Sequence, residues 1–410
     1  MAPYVGFMIL ILIEWMLFVP KVQMPAAVSC RPLPSRIANW VVMAMKSQIG
    51  EPVGYARRKR FMILVCIELI CFAGIRSLDL GADISNYLGS LRYYRSLAPN
   101  QILGAELVWP YDYEVGYFFL TKLCAWLNMS DTVFLFAIAI IIYVPVCWFL
   151  LQYSANPAIG ILVYFAFSGF TYSLGIFRQM IALSILLIGS KFIIDRKLIW
   201  FVITVGIAML FHTTAVVLLP FYWIYKMRLS NKIPFIIIAE IICFLGARPF
   251  ILLVIKIFPK YSGLVSSQCD TQGGSYVMLI LLNILLIVGC IIAERKENRR
   301  YVSLQMSLNA TVVAVFLQII GYSMEIFGRI VPYYSIYLTI LIPCMIIKCF
   351  RKKTRYDNRI KWKVACGIIE WLGRNTLLIY LVSAVLLIVM FWFLNRGTNI
   401  DSYMTVFTQR

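Results

Sequence analysis

Histidine occurs once in this chain of 410 residues, and charged residues of both signs together make up only 14% of it. The motifs of the common soluble enzymes are missing as well. No G-x-x-x-x-G-K-[ST] loop, no G-x-G-x-x-G turn and no H-E-x-x-H pair is present, so nucleotide hydrolysis, dinucleotide redox chemistry and zinc proteolysis have no support. The 11 cysteines include no C-x-x-C and no Cys/His metal spacing. Most lie in apolar stretches, where cysteine behaves as a small hydrophobe, so neither a disulfide framework nor a structural metal is expected.

Apolar residues fill the space: 62% of the chain is hydrophobic and the mean hydropathy is +0.85, well outside the range of a water-soluble globular protein. A bilayer core of about 30 Å is crossed by roughly 20 apolar residues per helix. Runs of that kind recur from one end to the other, at 4–20, 61–75, 133–153, 158–174, 177–194, 233–249, 276–292, 303–321, 330–347 and 374–394. The expected fold is all-α: a polytopic integral membrane protein, one bundle over residues 1–410, with about ten transmembrane helices. The first run, Tyr4 to Pro20, has no basic residue before it and is followed by Lys21, so it reads as a retained helix rather than a signal peptide.

The net charge of +20 would suggest nucleic acid if the basic residues formed a face or a tail. They fall instead into five short blocks between apolar runs, from Lys21 to Arg60, Lys191 to Lys197, Lys226 to Lys232, Arg295 to Arg300 and Lys348 to Lys363. That is the positive-inside pattern, which places all five in the cytoplasm and makes 21–60 a basic cytoplasmic linker. No nucleic-acid partner is expected. Residues 76–132 then form a large outer-face loop, with 115–128 as an interfacial or re-entrant segment carrying Lys122. The apolar stretch 198–225 lies between two basic blocks of the same side, so it must enter the membrane and return as a helical hairpin, re-entrant or spanning. Its turn falls at Phe211, His212, Thr213 and Thr214.

By this topology Arg76, Asp83, Glu114, Arg178, Gln179, His212 and Arg329 gather at the outer face. Charges near membrane depth cost roughly 2.5–3.5 kcal/mol on insertion scales, so they are paired, snorkelling or functional. Arg178 and Arg329 each flank a helix end and have a snorkelling reading; the single histidine has a reading as a hydrogen-bonded structural group, and Asp83 and Glu114 one as solvated loop acids.

The pieces IRSLDLGADISNY (75–87), YEVGYFFL (113–120), FRQMIALSILLIGSKFI (177–193), IAMLFHTTAVVLLPFY (207–222) and GRIVPYYSIYLTILIP (328–343) together resemble, in order and spacing, the EpsG family of Wzy-like bacterial exopolysaccharide and capsule polymerases. Family members usually read G-x-D-T and Y-E-P-G-[YF] where this chain has Ile84 and Val115, which weakens any role for a threonine hydroxyl there but leaves Asp83, Tyr87 and Glu114 in place.

The resemblance implies a GT-C-like polymerase in the bacterial cytoplasmic membrane. It would transfer a growing glycan from undecaprenyl pyrophosphate to the next lipid-linked repeat unit on the outer face, in exopolysaccharide, capsule or O-antigen synthesis. A chain-length regulator is a candidate partner. Pyrophosphate leaves without an acid but its developing charge needs stabilising, which suits arginine; Arg178 and Arg329 are the first choices, with Arg76 third. The acceptor hydroxyl must lose a proton, with His212 as first-choice base and Asp83 as second. Tyr87, Glu114, Gln179 and Tyr333 are expected to bind substrate, and neither metal nor cofactor is expected. The alternatives are a lipid-linked oligosaccharide flippase or transporter, and a membrane acyltransferase acting on sugars.

Overall fold

The computed structural model describes residues 2–18, 53–78, 80–81, 83–102, 104–105, 113–257, 276–294, 302–323, 328–350 and 376–394, and among these it is helical with no strand. The helices are α1 (Ala2–Phe18), α2 (Val53–Gly74), α3 (Ile84–Ser96), α4 (Pro99–Ile102), α5 (Val115–Trp126), α6 (Asp131–Tyr153), α7 (Pro157–Ala166), α8 (Gly169–Gly175) and α9 (Phe177–Ile194). They continue with α10 (Leu198–Met209), a 3-10 helix (Thr213–Leu218), α11 (Phe221–Ile224), α12 (Ile233–Ile257), α13 (Tyr276–Glu294), α14 (Val302–Ser323), α15 (Pro332–Ser335), α16 (Leu338–Phe350) and α17 (Thr376–Leu394). Of the expected linker 21–60, residues 21–52 lie outside the described residues while 53–60 belong to α2, and the segment 258–275 also lies outside them.

A helix or a broken pair of helices occupies each of the ten apolar runs; among the described residues four are long and apolar enough to cross a membrane, or five if the bent pair α7–α8 is one crossing. Helix α2 carries Arg57, Arg58, Lys59 and Arg60 near its start, α12 carries Glu240, Arg248 and Lys256, and the run 330–347 is divided between α15 and α16. Large apolar side chains such as Phe235, Ile199 and Leu245 point outward, as suits helices solvated by lipid.

The core is built around α6, α9 and α14. Helix α2 packs along α6, α9 lies against both α6 and α10, and α14 packs on α12, α13 and α16. Local signals set the helix starts: Ser130 accepts from the Val133 amide to open α6, and Asn156 accepts from the amides of Ala158 and Ile159 with Pro157 in the first turn of α7. These caps satisfy amides that lack intrahelical partners. The α7–α8 break sits at Ser168, whose φ of 62° is left-handed, and the two helices diverge by 60°.

Between residues 76 and 132 the chain is more regular than a loop, with α3, α4 and α5 folded over one another. Helix α5 has 12 residues, about 18 Å at 1.5 Å per residue, too short to cross the bilayer. Its Lys122 is buried, donating to the Ala105 carbonyl at 2.5 Å with Nζ 4.3 Å from the centre of the Phe118 ring. Hydrogen bonding and the ring quadrupole compensate the buried ammonium.

The 198–225 stretch runs out along α10, turns at Leu210–His212 and returns through the 3-10 helix and α11, with both arms against α9. The far end of the returning arm is held from α14, where the Asn309 amide donates to the carbonyls of Ile224, Tyr225 and Met227 and Gln305 donates to Met227. The Ile224 carbonyl also accepts from the Met227 amide at 3.0 Å, whereas α11 ends before it can take up the Tyr225 and Met227 carbonyls, and in an apolar setting an unmet carbonyl is costly.

Candidate functional site

Glu114 is the residue that precedes α5, yet its carboxylate does not cap that helix. It reaches across to the hairpin turn and to the start of α9. Oε1 accepts from His212 Nδ1 at 2.8 Å and from the Thr213 amide at 3.4 Å, while Oε2 accepts from Arg178 Nη1 at 2.6 Å. One carboxylate therefore joins three elements that are far apart in sequence. All three side chains are partly buried.

Burial alone would raise the Glu114 pKa. The His212 hydrogen bond and the Arg178 charge outweigh it and hold the carboxyl down at about 2, so Glu114 is ionised at neutral pH. An ionised carboxylate only accepts, so His212 Nδ1 must carry the hydrogen of their bond; in the neutral ring Nε2 then keeps the lone pair. This tautomer assignment follows from the partner's charge.

The turn is fitted to α5 through backbone. The Gly116 amide donates to the Leu210 carbonyl at 2.7 Å, two residues before His212. Beyond the turn, Thr214 Oγ1 lies 3.2 Å from the Tyr333 hydroxyl, and Tyr334 donates to the Val217 carbonyl. Tyr333 is fully buried. Gln179, also buried, spends its amide on the Arg329 carbonyl, which ties the segment before α15 to the start of α9 while the Arg329 residue itself is exposed.

Aromatic rings back the cluster. Arg178 lies over the Tyr113 ring at 4.8 Å, and Tyr87 stacks on Phe177 with centroids 4.9 Å apart and planes at 17°. The Tyr87 hydroxyl lies near the Arg178 guanidinium without a well-formed hydrogen bond; burial pushes its phenol up, Arg178 draws it back and the Asp83 carboxylate adds to the rise. Asp83 precedes α3, partly exposed, with no side-chain bond to the helix it opens.

Of the residues singled out from sequence, Glu114, Arg178 and His212 are in direct contact, Tyr87 adjoins them, and Tyr333 and the Arg329 backbone are held to the same elements. Arg76 is 1% exposed and donates to the Leu174 carbonyl, so it sits behind the cluster. Sequence reasoning gave no functional role to Tyr113, Gly116, Phe177 or Thr214. Tyr113 and Gly116 flank Glu114 in YEVGYFFL, and Phe177 and Thr214 are the immediate neighbours of Arg178 and Thr213. Among the described residues no group of three or more His, Cys, Asp or Glu is arranged to hold a metal.

Helices able to cross a membrane, with a polar cluster where three helical elements meet, define a polytopic membrane protein with an internal polar site. The chain belongs to the EpsG family, whose sequence profile matches residues 59–357, most of its length. The family is one of exopolysaccharide-polymerase-like membrane proteins. No curated protein and no solved structure matches the chain.

Proposed function

We propose that the protein is a GT-C-like repeat-unit polymerase that joins lipid-linked oligosaccharides on the outer face of the bacterial cytoplasmic membrane, without a metal ion. The observation that carries this reading is the Glu114 carboxylate shared between His212 and Arg178, together with membership of the family. In the proposed step a hydroxyl of the acceptor repeat unit attacks the anomeric carbon of the donor glycan. The new C–O bond forms as the bond to undecaprenyl pyrophosphate breaks, the hydroxyl proton passes to His212 Nε2, and the pyrophosphate departs as an anion.

Each member of the cluster has a separate task in this reading. Glu114, ionised, holds the imidazole by Nδ1 so that Nε2 faces the reacting hydroxyl, and it favours the imidazolium that proton transfer creates. With its carboxyl held at about 2 it is itself a feeble base. Both Glu114 oxygens are engaged within the protein, which suits an orienting role better than the direct substrate contact expected from sequence. Arg178 and the exposed Arg329 would receive the charge that develops on the leaving pyrophosphate. Asp83 makes no bond to the cluster, so His212 stands ahead of it as the base.

The test is His212→Ala in cells making the polymer. Turnover should fall about 10²- to 10⁴-fold at normal protein level, leaving single repeat units on the lipid carrier at the outer face. Repeat units retained inside would point to a flippase, and full-length undecorated polymer to an acyltransferase.

A further inference from the structure

We infer that the segment Arg76–Tyr87 is a bracket that sets the direction of Arg178, with Arg76, Gly81 and Tyr87 as positioning residues acting through the short joint Leu174–Phe177. Three independent contacts converge on that joint, which is where α8 ends and α9 begins.

The first is Arg76. A guanidinium that is 1% exposed is expensive to bury, by several kcal/mol, unless its bonds are met on the spot. It donates to the Leu174 carbonyl, in the last turn of α8, and its Cζ lies 5.2 Å from the centre of the Phe177 ring. A cation is favoured at a helix C-terminus and over an aromatic face. The second is Gly81, at φ 130°, a region that L side chains rarely adopt. A Cβ there would lie 2.6 Å from the Leu174 oxygen and 2.9 Å from the Gly175 Cα, both backbone atoms. The third is Tyr87, whose ring stacks on Phe177 from the other end of the segment.

Phe177 and the Leu174 carbonyl are thus clamped from one stretch of chain, and Arg178 is the next residue. Its side chain meets Glu114 at 2.6 Å under the Tyr113 ring, so a small rotation of the joint moves the guanidinium away from both. The consequence for catalysis rests on the proposed role of Arg178; the bracket itself does not.

The experiment separates the two. Full-length protein in detergent is treated with phenylglyoxal, and adduct at Arg178 is quantified by peptide mass spectrometry, with exposed Arg228 as internal control. Gly81→Ala should change the Arg178 rate at least threefold and leave Arg228 unchanged. It should also lower kcat/KM for the lipid-pyrophosphate donor about tenfold in the native background but not further in Arg178→Lys, whereas a merely structural defect multiplies equally in both. Tyr87→Leu, which removes the stack and leaves Gly81 intact, is read the same way should Gly81→Ala not fold. An Arg178 rate unchanged in the folded variant, or equal kcat/KM losses in both backgrounds, overturns the bracket. An altered Arg178 rate with donor kinetics untouched even in Arg178→Lys supports the bracket and overturns the pyrophosphate role of Arg178.

Discussion

The amide of Gly116 and the carbonyl of Leu210 are hydrogen-bonded at 2.7 Å, although 94 residues separate them. The contact is possible because position 116 has no side chain: a Cβ there would lie 2.8 Å from the Leu210 oxygen and 2.9 Å from the Leu210 Cβ. Glu114 and His212 each stand two residues from this bond, so it fixes the separation at which carboxylate and imidazole meet.

Gly116→Ala should therefore act as a mutation of the site without altering any polar group in it. The hairpin turn must retreat by several tenths of an ångström, which stretches the Glu114–His212 bond. Polymerisation is expected to fall on the order of 10-fold, short of the roughly 100-fold that a misplacement of about 1 Å can cost, with melting temperature in detergent reduced by only a few degrees. Repeat-unit assays on purified variant and parent provide the check, and near-parental turnover would mean that the turn adapts without cost.

For Arg178 the informative substitution is lysine. A snorkelling arginine needs a long cationic arm, which lysine supplies. A residue that holds Glu114 and a pyrophosphate together needs the planar fork, whose charge-assisted bonds are worth roughly 1.5–3 kcal/mol each. Both Arg178→Lys and Arg178→Ala should lower polymerisation roughly 100-fold, the loss of one or two such bonds, so that single repeat units accumulate on the carrier at unchanged protein level while a residual turnover stays measurable. Polymer of normal length from the lysine variant would return Arg178 to a snorkelling role.

Glu114 has a pH signature. Its carboxyl is held at about 2 against an ordinary 4.5, so the unfolded chain binds its proton first. The stabilisation is fully present above about pH 4.5, declines below it, and is gone once the pH has fallen past about 2. Its size is on the order of 3 kcal/mol as an upper bound, at 1.36 kcal/mol per unit. Compared by melting in detergent, parent and Glu114→Gln should differ most near neutrality and converge as pH falls from 5 toward 3. A gap that stays constant across that range would show that the carboxylate is not held in the charged state.

Topology is open to labelling in intact cells. The basic blocks place Cys269, in a segment outside the described residues, on the outer side, and Cys349 and Cys366 beside the cytoplasmic block Lys348 to Lys363. In single-cysteine variants a membrane-impermeant maleimide should reach Cys269 and neither of the others. Labelling of Cys349 with Cys269 silent would invert the bundle and carry the proposed site to the cytoplasmic face.

Much of the helical framework was legible because hydropathy and charge act locally. An apolar run of about 20 residues in this composition has little choice but a helix, since lipid supplies no partner for an open backbone. The same reasoning placed His212 at the turn of 198–225, where α10 ends and the 3-10 helix starts, from nothing more than two flanking basic blocks. By itself, then, the sequence determined the all-helical class, the positions of the apolar elements and the short list of polar residues worth watching. Tertiary structure alone decided how those residues divide. It spent the Gln179 amide on a backbone carbonyl, buried Arg76 against Leu174 and Phe177, and gave Glu114 both His212 and Arg178. The physical reason is that a hydrogen bond is set by distances of about 3 Å, and between residues 64 to 150 positions apart no local preference of the chain specifies such a distance.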